Sequence, residues 1–390
     1  MNIYFRPPLQ LLAYVRAALG FLYAFDSKTL LYKDYTIDQI KEKVSSIRIP
    51  SYESTFRQLA SESTNSSYQQ NHWSLPTEIQ NQLVHIILEL GSEIDKWFHT
   101  RGKRLLKYII NFDVRNELSW RSTGILDRFE TARNFVRNES LDIKQRFYVA
   151  CKYYFEQDAR WLWSRISFLD RLYVRTNWEN SVEMQHWFRA LVNRAALDWT
   201  QISLIATEDE FLVSNYEGLP YYFTRLQGRE TRYKCIVTYL ELRFLRPYDL
   251  YVCLYQLNAD EINDVFTRLP MELMLKIFDS FLYWPLQSIF LDVVNSYKSQ
   301  MNGATFVSLI SMLLSKLQFG NKEYLYLDLF KNFWNQLSSE YGSFIKEHKI
   351  LNEIVIYVLN ASVPFDTKAF QKFSEREHRK GCKLSDVSDH

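Results

Sequence analysis

The chain is poor in the two residues that tight turns require. Its 390 residues include only 10 glycines and 9 prolines, whereas average usage is about 7% and about 5%. β-Hairpins and the corners of β-sandwiches depend on these residues for their backbone conformations. Their scarcity therefore disfavours turn-dense β architectures and favours helices that are joined by polar turns.

The chain also lacks an excess of either charge. Lys and Arg total 47, and Asp and Glu total 45. No large field of one sign therefore attracts nucleic acid or an anionic membrane, although a local patch is compatible with this balance. The densest basic run is RGKRLLK at 101–107, followed by Tyr108. Because most aromatic residues fall on helical stripes that packing explains, nucleic acid is not expected as a partner.

Cysteine is scarce and widely spaced. The four cysteines are Cys151, Cys235, Cys253 and Cys382, and they form neither a CxxC pair nor a cluster with histidine at zinc-ligand spacing. This usage favours a reduced cytoplasmic or other intracellular setting over secretion, which is the minority alternative.

The common signatures of catalysis and phosphate binding are absent. The chain contains no GxGxxG, GxxxxGK[ST], GxSxG or HExxH motif. His85 and Glu89 form the one His/acid pair at i, i+4 spacing on a predicted helix, and their apolar neighbours favour a hydrogen-bonded histidine over a metal ligand. The sequence therefore assigns no catalytic, cofactor-binding or metal-ligating residue and predicts no cofactor.

The apolar run LQLLAYVRAALGFLYAF, residues 9–25, is too short for a membrane-spanning helix. Arg16 lies at its centre, and the run falls below the ~20 residues that a span needs. No clean small-residue cleavage site follows it, as a signal peptide would require. We expect a largely buried helix here and no transmembrane segment.

The chain is rich in aromatic residues and in helical periodicity. It contains 27 Phe, 26 Tyr and 10 Trp, so many contacts between helices are expected to be aromatic. Three stripes follow the i, i+3, i+4, i+7 pattern of one helix face. They are Leu286/Ile289/Phe290/Val293/Val294/Tyr297, Phe306/Leu309/Ile310/Leu313/Leu314/Leu317 and Tyr326/Leu329/Phe330/Phe333/Trp334/Leu337.

Shorter stripes begin at Leu250, Ile262 and Met274, twelve residues apart. Together these patterns predict an all-α fold of serial short antiparallel helices, either a helical-repeat-like solenoid or a layered bundle. The regular spacing is equally compatible with chance in a bundle of similar helices.

Composition divides the chain into three regions. Residues 1–140 are expected to be an N-terminal helical region with a mobile polar loop near 60–71. Residues 141–365 are expected to be an array of helical hairpins, interrupted near 208–230 by a long loop or irregular insertion that contains Gly218, Pro220 and Gly228. Long loops are often functional, so this insertion is the first place to seek a binding surface. Residues 366–390 are expected to be a partly disordered tail.

The stretch FYVACKYYFEQDARWLW, residues 147–163, combines a cysteine, two acids and many aromatics. On a single helix Asp158 would lie in the centre of the apolar face, which is costly for a carboxylate. We therefore predict a helical hairpin with a break near Gln157 and Asp158 as the N-cap of the second helix. Asp142 is predicted to cap the first helix, with Gln145 completing a capping box. Cys151 is predicted to be an unreactive core residue.

One short motif has a known counterpart. LPMELMLKIFDSFL, residues 269–282, resembles the opening of an F-box, a helical module that docks on a ubiquitin-ligase adaptor. The match rests on Leu269, Pro270, Glu272, Leu273, Ile277 and Phe281, and the later part of the F-box pattern is missing. A proline-started amphipathic helix explains the same residues and is preferred. Burial of Leu273, Ile277 and Phe281 would argue against the F-box.

Longer segments resemble a family. STGILDRFETARNFVRNESLDIKQRFYVACKYYFEQDARWLW (122–163), SLPTEIQNQLVHIILELGSEIDKWF (74–98), FLYWPLQSIFLDVVN (281–295) and YLDLFKNFWNQLSSEYGSFIKE (326–347) are similar, in this order, to segments of a large set of uncharacterised arachnid proteins. The resemblance implies a shared helical fold and full-length folding. It implies no activity, cofactor or site, and it counts against the F-box.

Three functions remain open from the sequence. The leading hypothesis is a non-enzymatic helical scaffold that binds unidentified protein partners. The alternatives are an enzyme whose site is assembled from distant helices and the F-box-like adaptor. A groove or an exposed aromatic patch would favour the first, whereas a pocket with convergent acidic, His or Tyr side chains would favour the second.

Overall fold

The predicted all-α fold is confirmed in a computed structural model of the chain, which describes residues 5–50, 72–99, 113–178, 181–242, 246–318, 323–362 and 365–385. The strands found in these ranges are two short ones, β1 (Arg48–Pro50) and β2 (His72–Ser74). They pair antiparallel, with Ile49 opposite Trp73. The loop predicted at 60–71 and the basic run 101–107 lie outside the described residues.

The described chain divides into two compact units. The first is Pro7–Phe135, and the second contains the described residues from Val136 onward together with Phe5 and Arg6. The boundary after Phe135 falls close to the one expected at residue 140, within the helix Arg128–Arg137. No boundary separates the segment after residue 366 from the rest of the second unit.

The first unit is organised around one long helix. Its helices are α1 (Leu9–Leu22), α2 (Ser27–Tyr32), α3 (Ile37–Ser45), α4 (Thr77–His99) and α5 (Arg128–Arg137), the last of which crosses the boundary. Helices α1, α2 and α3 all pack on α4. Helices α1 and α3 bury Val15, Ala18, Leu22, Ile40 and Val44, and α4 buries Leu83, Ile87, Leu90 and Ile94.

The second unit is a longer series of helices, interrupted by 3-10 turns at Phe223–Arg225, Leu286–Ile289 and Lys298–Gln300. The helices are α6 (Ile143–Lys152), α7 (Glu156–Arg165), α8 (Phe168–Trp178), α9 (Val182–Val192), α10 (Trp199–Ile205), α11 (Asp209–Asn215), α12 (Leu219–Tyr222), α13 (Arg229–Glu241), α14 (Pro247–Tyr255), α15 (Ala259–Arg268), α16 (Met271–Ser280), α17 (Phe290–Ser296), α18 (Gly303–Gln318), α19 (Glu323–Glu347), α20 (Lys349–Leu359) and α21 (Thr367–Ser385). The principal helix–helix contacts join helices no more than three apart in this order.

The predicted apolar stripes form the core of this unit. All members of the stripes that begin at Leu286 and Phe306 are buried. In the third stripe Leu329 and Trp334 are only half-buried, and Leu327 is buried in addition. Aromatic contacts are frequent, as expected, and Phe266 stacks on Tyr297 with ring centroids 3.7 Å apart.

Side-chain caps fix several helix starts. Asn258 and Glu261 form a reciprocal capping box at the start of α15, where Asn258 Oδ1 accepts from the Glu261 amide at 3.0 Å. Asp142 caps α6 as predicted, since its Oδ1 accepts from the Lys144 amide at 2.8 Å. The bond reaches Lys144 rather than Gln145, so the predicted capping box is not the arrangement at this end.

Two regional predictions were wrong. Residues 208–230 are not an irregular insertion, because they contain α11, α12 and a 3-10 turn with buried apolar side chains. These are Phe211, Leu212, Tyr216, Leu219, Tyr222, Phe223 and Leu226. The segment expected to be a partly disordered tail, residues 366–390, instead forms a helix over Thr367–Ser385. Residues 386–390 lie outside the described part of the chain.

The run 9–25 forms a helix, α1, but it is not largely buried. Val15, Ala18 and Leu22 are buried, whereas Leu9 is 83% exposed. Only one side of α1 is therefore buried, and only every third or fourth residue enters the core of the first unit.

Candidate functional site

The stretch 147–163 forms the predicted helical hairpin, with a turn that lies earlier than predicted. Helix α6 ends at Lys152 and α7 begins at Glu156. Tyr154 adopts a left-handed φ of 56° in the turn. The N-cap position of α7 is Phe155, so Asp158 lies in the first turn of the helix rather than at its cap. There a carboxylate is stabilised by the helix dipole and is not buried in the apolar face.

The cysteine in this hairpin belongs to the core. Cys151 is 1% exposed, and its carbonyl accepts from Trp187 Nε1 at 3.2 Å. A buried thiol among aromatic rings has no access to a substrate. The structure therefore agrees with the interpretation of this stretch as structural.

Residues 208–230 contribute to the same buried aromatic cluster and do not present the binding surface that we expected. Tyr154 packs against Tyr222 with ring centroids 4.9 Å apart and donates from its Oη to Asn215 Oδ1 at 3.0 Å. The Tyr222 ring is 0% exposed, and its Oη has no hydrogen-bond partner among the described residues. Burial raises the pKa of Tyr222 well above its ordinary value.

Two further thiols lie beside Tyr222. Burial raises the pKa of Cys235 to about 12, and it also raises the pKa of Cys253. Both thiols are therefore protonated at neutral pH, and a protonated, inaccessible thiol is not a nucleophile. This cluster explains packing and does not form a reactive site.

The helix that resembles an F-box opening is α16. Leu273 is 6%, Ile277 0% and Phe281 1% exposed. Helix α16 packs against α13, α14, α17 and α18. These three side chains lie in the core and are not available to an adaptor, which is the outcome that was expected to argue against the F-box.

Histidine does not mark a metal site in the described part of the chain. His85 lies on α4 and is half-buried, beside the buried Glu89. No group of three or more His, Cys, Asp or Glu side chains with metal-binding geometry occurs among the residues that the structure describes.

The clearest concave feature is a groove of about 640 Å³ between α18, α20 and α21. Its floor is apolar, because Leu314 and Ile354 are buried beneath it. The lining residues are Val307, Ser311, Leu314, Ser315 and Gln318 from α18, His348 before α20, Lys349, Ile350, Leu351 and Ile354 from α20, and Ser374 from α21.

Polar side chains close one end of the groove. Gln318 Nε2 donates to Ser374 Oγ at 3.0 Å, and Gln371 donates to the Gln318 carbonyl. These bonds join the end of α18 to α21. The third wall of the groove is thus held by the helix that composition had suggested would be disordered.

The groove brings no carboxylate together with its serines among the residues that the structure describes. None of the described residues that line it is Asp or Glu. The hydroxyl of Ser311 donates to the Val307 carbonyl at 3.0 Å, and that of Ser315 donates to the Met312 carbonyl at 2.7 Å. A serine whose proton is held by a backbone carbonyl lacks the adjacent base that activates a nucleophile.

A second surface feature is an apolar patch on α7 and α8, hereafter the α7–α8 patch. It consists of Trp161, Phe168, Leu169, Leu172 and Tyr173, of which Phe168 and Leu169 are 74% and 76% exposed. The inward side of α8 carries Asp170, Arg171 and Val174. The apolar side of α8 therefore faces outward, which reverses the usual arrangement.

Only weak signals for these two surfaces are present in the sequence. Val307, Ser311 and Ser315 follow i, i+4, i+8 on α18, next to the predicted core stripe. Such a row of small side chains leaves space beside a helix, but nothing in the sequence places α20 and α21 opposite it. Periodicity likewise finds the apolar side of α8 without showing that it is exposed.

Comparisons with protein-family models, with curated proteins and with solved structures found no match to the chain. Among the described helices, none combines the length and the apolar character that crossing a bilayer requires.

Proposed function

We propose that this chain is a non-enzymatic helical interaction protein and that the groove between α18, α20 and α21 receives an amphipathic helix of a partner protein. The observation that carries the proposal is the apolar floor of this groove under a polar rim. An amphipathic helix buries its apolar side chains in such a groove and leaves its polar side in water.

The charges at the rim of the groove indicate which charge the partner helix carries. The rim carries Lys349 and His348, and the described lining residues include no acidic side chain. A partner helix with Asp or Glu beside its apolar stripe would place a carboxylate near the Lys349 ammonium, whereas a basic helix would be repelled. The expected partner segment is therefore acidic as well as amphipathic.

The proposal is tested with a substitution that fills the groove and leaves the core side chains unchanged. Ser311 is exposed on the groove side of α18, so Ser311→Trp inserts a bulky ring into the groove. Ser339 is an exposed serine on α19 outside the groove, and Ser339→Trp is the matched control. Tagged wild-type and variant chains are expressed in the cells that make the protein, and the captured proteins are compared by mass spectrometry.

The expected result is a partner that wild type and Ser339→Trp retain and that Ser311→Trp loses. A photo-crosslinking residue at position 311 should then attach to an acidic amphipathic helix of that partner. Partners captured equally by Ser311→Trp, or crosslinks that map to a basic or extended segment, would contradict the proposal.

A further inference from the structure

The α7–α8 patch has properties that the groove does not explain. Four apolar side chains share the outward side of α8, and Trp161 of α7 is a further exposed ring. Leucines and aromatic rings on one side of a helix are ordinarily buried. A contiguous apolar patch that remains outward is a feature of interaction sites.

The charges around the patch are unbalanced. Asp170 accepts from Lys144 Nζ at 2.8 Å and from Ser167 Oγ at 2.8 Å, so its carboxylate is already neutralised. Arg165 and Arg175 are both exposed, and neither forms an ion pair with any residue that the structure describes. The Arg165 guanidinium lies 4.4 Å from the centroid of the Trp161 ring. Among the residues that the structure describes, the unpaired charges beside the patch are therefore positive.

The size of the patch decides between two kinds of partner. Its five side chains are 43% to 76% exposed and together present on the order of 500 Å², since a large aromatic side chain presents ~200 Å² when fully exposed. A stable protein interface buries about 800 Å² on each partner, so the patch alone falls short of what a protein dimer needs. A lipid surface has no such minimum, because binding grows with apolar area and with attraction to anionic headgroups.

The geometry points to the α7–α8 patch as a docking site for an anionic phospholipid membrane surface. Phe168, Leu169 and Leu172 enter the boundary between headgroups and acyl chains. Trp161 and Tyr173 lie at headgroup level, where amphipathic rings are favoured. Arg165 and Arg175 contact lipid phosphates, which a guanidinium binds with paired hydrogen bonds. This inference is independent of the function proposed for the groove.

The test is co-sedimentation of the full chain with vesicles. One set contains phosphatidylcholine with about a third phosphatidylserine, and the other contains phosphatidylcholine only. The wild-type chain should bind the anionic vesicles, and added salt should weaken this binding. The partition coefficient should be at least about tenfold lower on neutral vesicles.

Two patch variants separate the apolar and the charged contributions. Phe168→Ser/Leu169→Ser should lower the partition coefficient on anionic vesicles by about tenfold or more. Arg165→Gln/Arg175→Gln should lower it by about tenfold and should flatten the salt dependence. The matched control is Leu9→Ser, because Leu9 is 83% exposed in the other unit and should leave binding unchanged. The substituted side chains are exposed, so circular dichroism should show an unchanged fold.

Three results would overturn the inference. The first is no binding of the wild-type chain to anionic vesicles. The second is binding that Leu9→Ser reduces as much as the patch variants do. The third is a wild-type dimer, detected by light scattering, that Phe168→Ser/Leu169→Ser converts to a monomer, because the patch would then be an interface between two copies.

Discussion

Removal of the buried hydroxyl of Tyr222 is expected to stabilise the protein. Tyr222 Oη is buried and has no hydrogen-bond partner among the described residues. A polar group that loses its hydrogen bonds to water on burial and gains no other partner costs about 1 to 3 kcal/mol of stability. Tyr222→Phe removes this group and keeps the ring that packs on Tyr154. We expect the free energy of unfolding to rise by about 1 to 2 kcal/mol.

Tyr154→Phe is the matched control, since it makes the same chemical change on the neighbouring ring. Its hydroxyl donates to Asn215 Oδ1 at 3.0 Å. Removing it leaves a buried acceptor without this donor, so the variant should lose about 1 to 3 kcal/mol. The two variants are thus expected to change stability in opposite directions, although each deletes a single oxygen atom from the same cluster.

Differential scanning calorimetry measures both effects. A change of 1 kcal/mol corresponds to about 2 °C in Tm for a unit of more than 200 residues. Tyr222→Phe should therefore unfold about 2 to 4 °C above wild type, and Tyr154→Phe should unfold below it. A lower Tm for Tyr222→Phe would refute the reasoning, because it would show that the hydroxyl makes a favourable interaction.

Alkaline pH provides an independent check on the same residue. Burial raises the pKa of Tyr222 above its ordinary value of 10.0. In the unfolded chain the phenol ionises above this value, whereas in the folded chain it stays protonated. Ionisation therefore favours the unfolded chain, and the wild type loses stability as the pH rises above 10. The advantage of Tyr222→Phe over wild type should therefore grow above pH 10. An advantage that is constant with pH would show that Tyr222 ionises freely in the folded protein.

Two further predictions concern other parts of the fold. In Gly91→Ala the new Cβ would lie 1.7 Å from Tyr35 Oη, so this variant should lose about 1 to 3 kcal/mol in urea unfolding. Gly20→Ala, on α1 of the same unit, meets no atom within 4 Å and should gain up to about 1 kcal/mol; equal stability of the two variants would show that Tyr35 does not lie against Gly91. Burial opposes ionisation of Glu261, but hydrogen bonds from Arg232 and from the Asn258 amide outweigh it and hold the pKa of Glu261 below 4.5. Glu261→Gln should therefore cost about 2 kcal/mol at neutral pH. This difference should shrink as the pH falls from 4.5 through the lower folded-state pKa, because the carboxylate protonates first in the unfolded chain and only at lower pH in the folded chain; a difference that does not vary with pH would contradict the ion pair with Arg232.

Periodicity predicted the core of the second unit because it is encoded locally. A helix that buries one face needs apolar residues at i, i+3, i+4 and i+7, whatever it packs against. The stripes at 286–297 and 306–317 satisfy this rule and are buried throughout. The hairpin at 142–165 was also predictable, except for the position of its turn. That position depends on the left-handed backbone of Tyr154, which no sequence rule assigns to tyrosine.

The wrong predictions share a non-local cause. Gly218 suggested a loop, but a Cβ at this position would lie 2.5 Å from the Lys152 carbonyl oxygen, so glycine permits close packing between helices. The segment after residue 373 is polar overall, yet Phe370, Ser374 and Glu377 are buried at i, i+4 and i+7. Both the close packing at Gly218 and the burial of one side of α21 depend on a neighbouring helix, which the local sequence does not reveal. The groove requires three helices to meet, so no helical pattern in the sequence could predict it.

Helix α21 also has a thermodynamic consequence. It docks through Phe370 and Phe373, which stack on Tyr357 of α20 with ring centroids 5.8 and 4.4 Å apart. The same helix supplies Ser374 to the groove wall. Occupancy of the groove and folding of α21 are therefore linked equilibria, and each must favour the other by the same free energy.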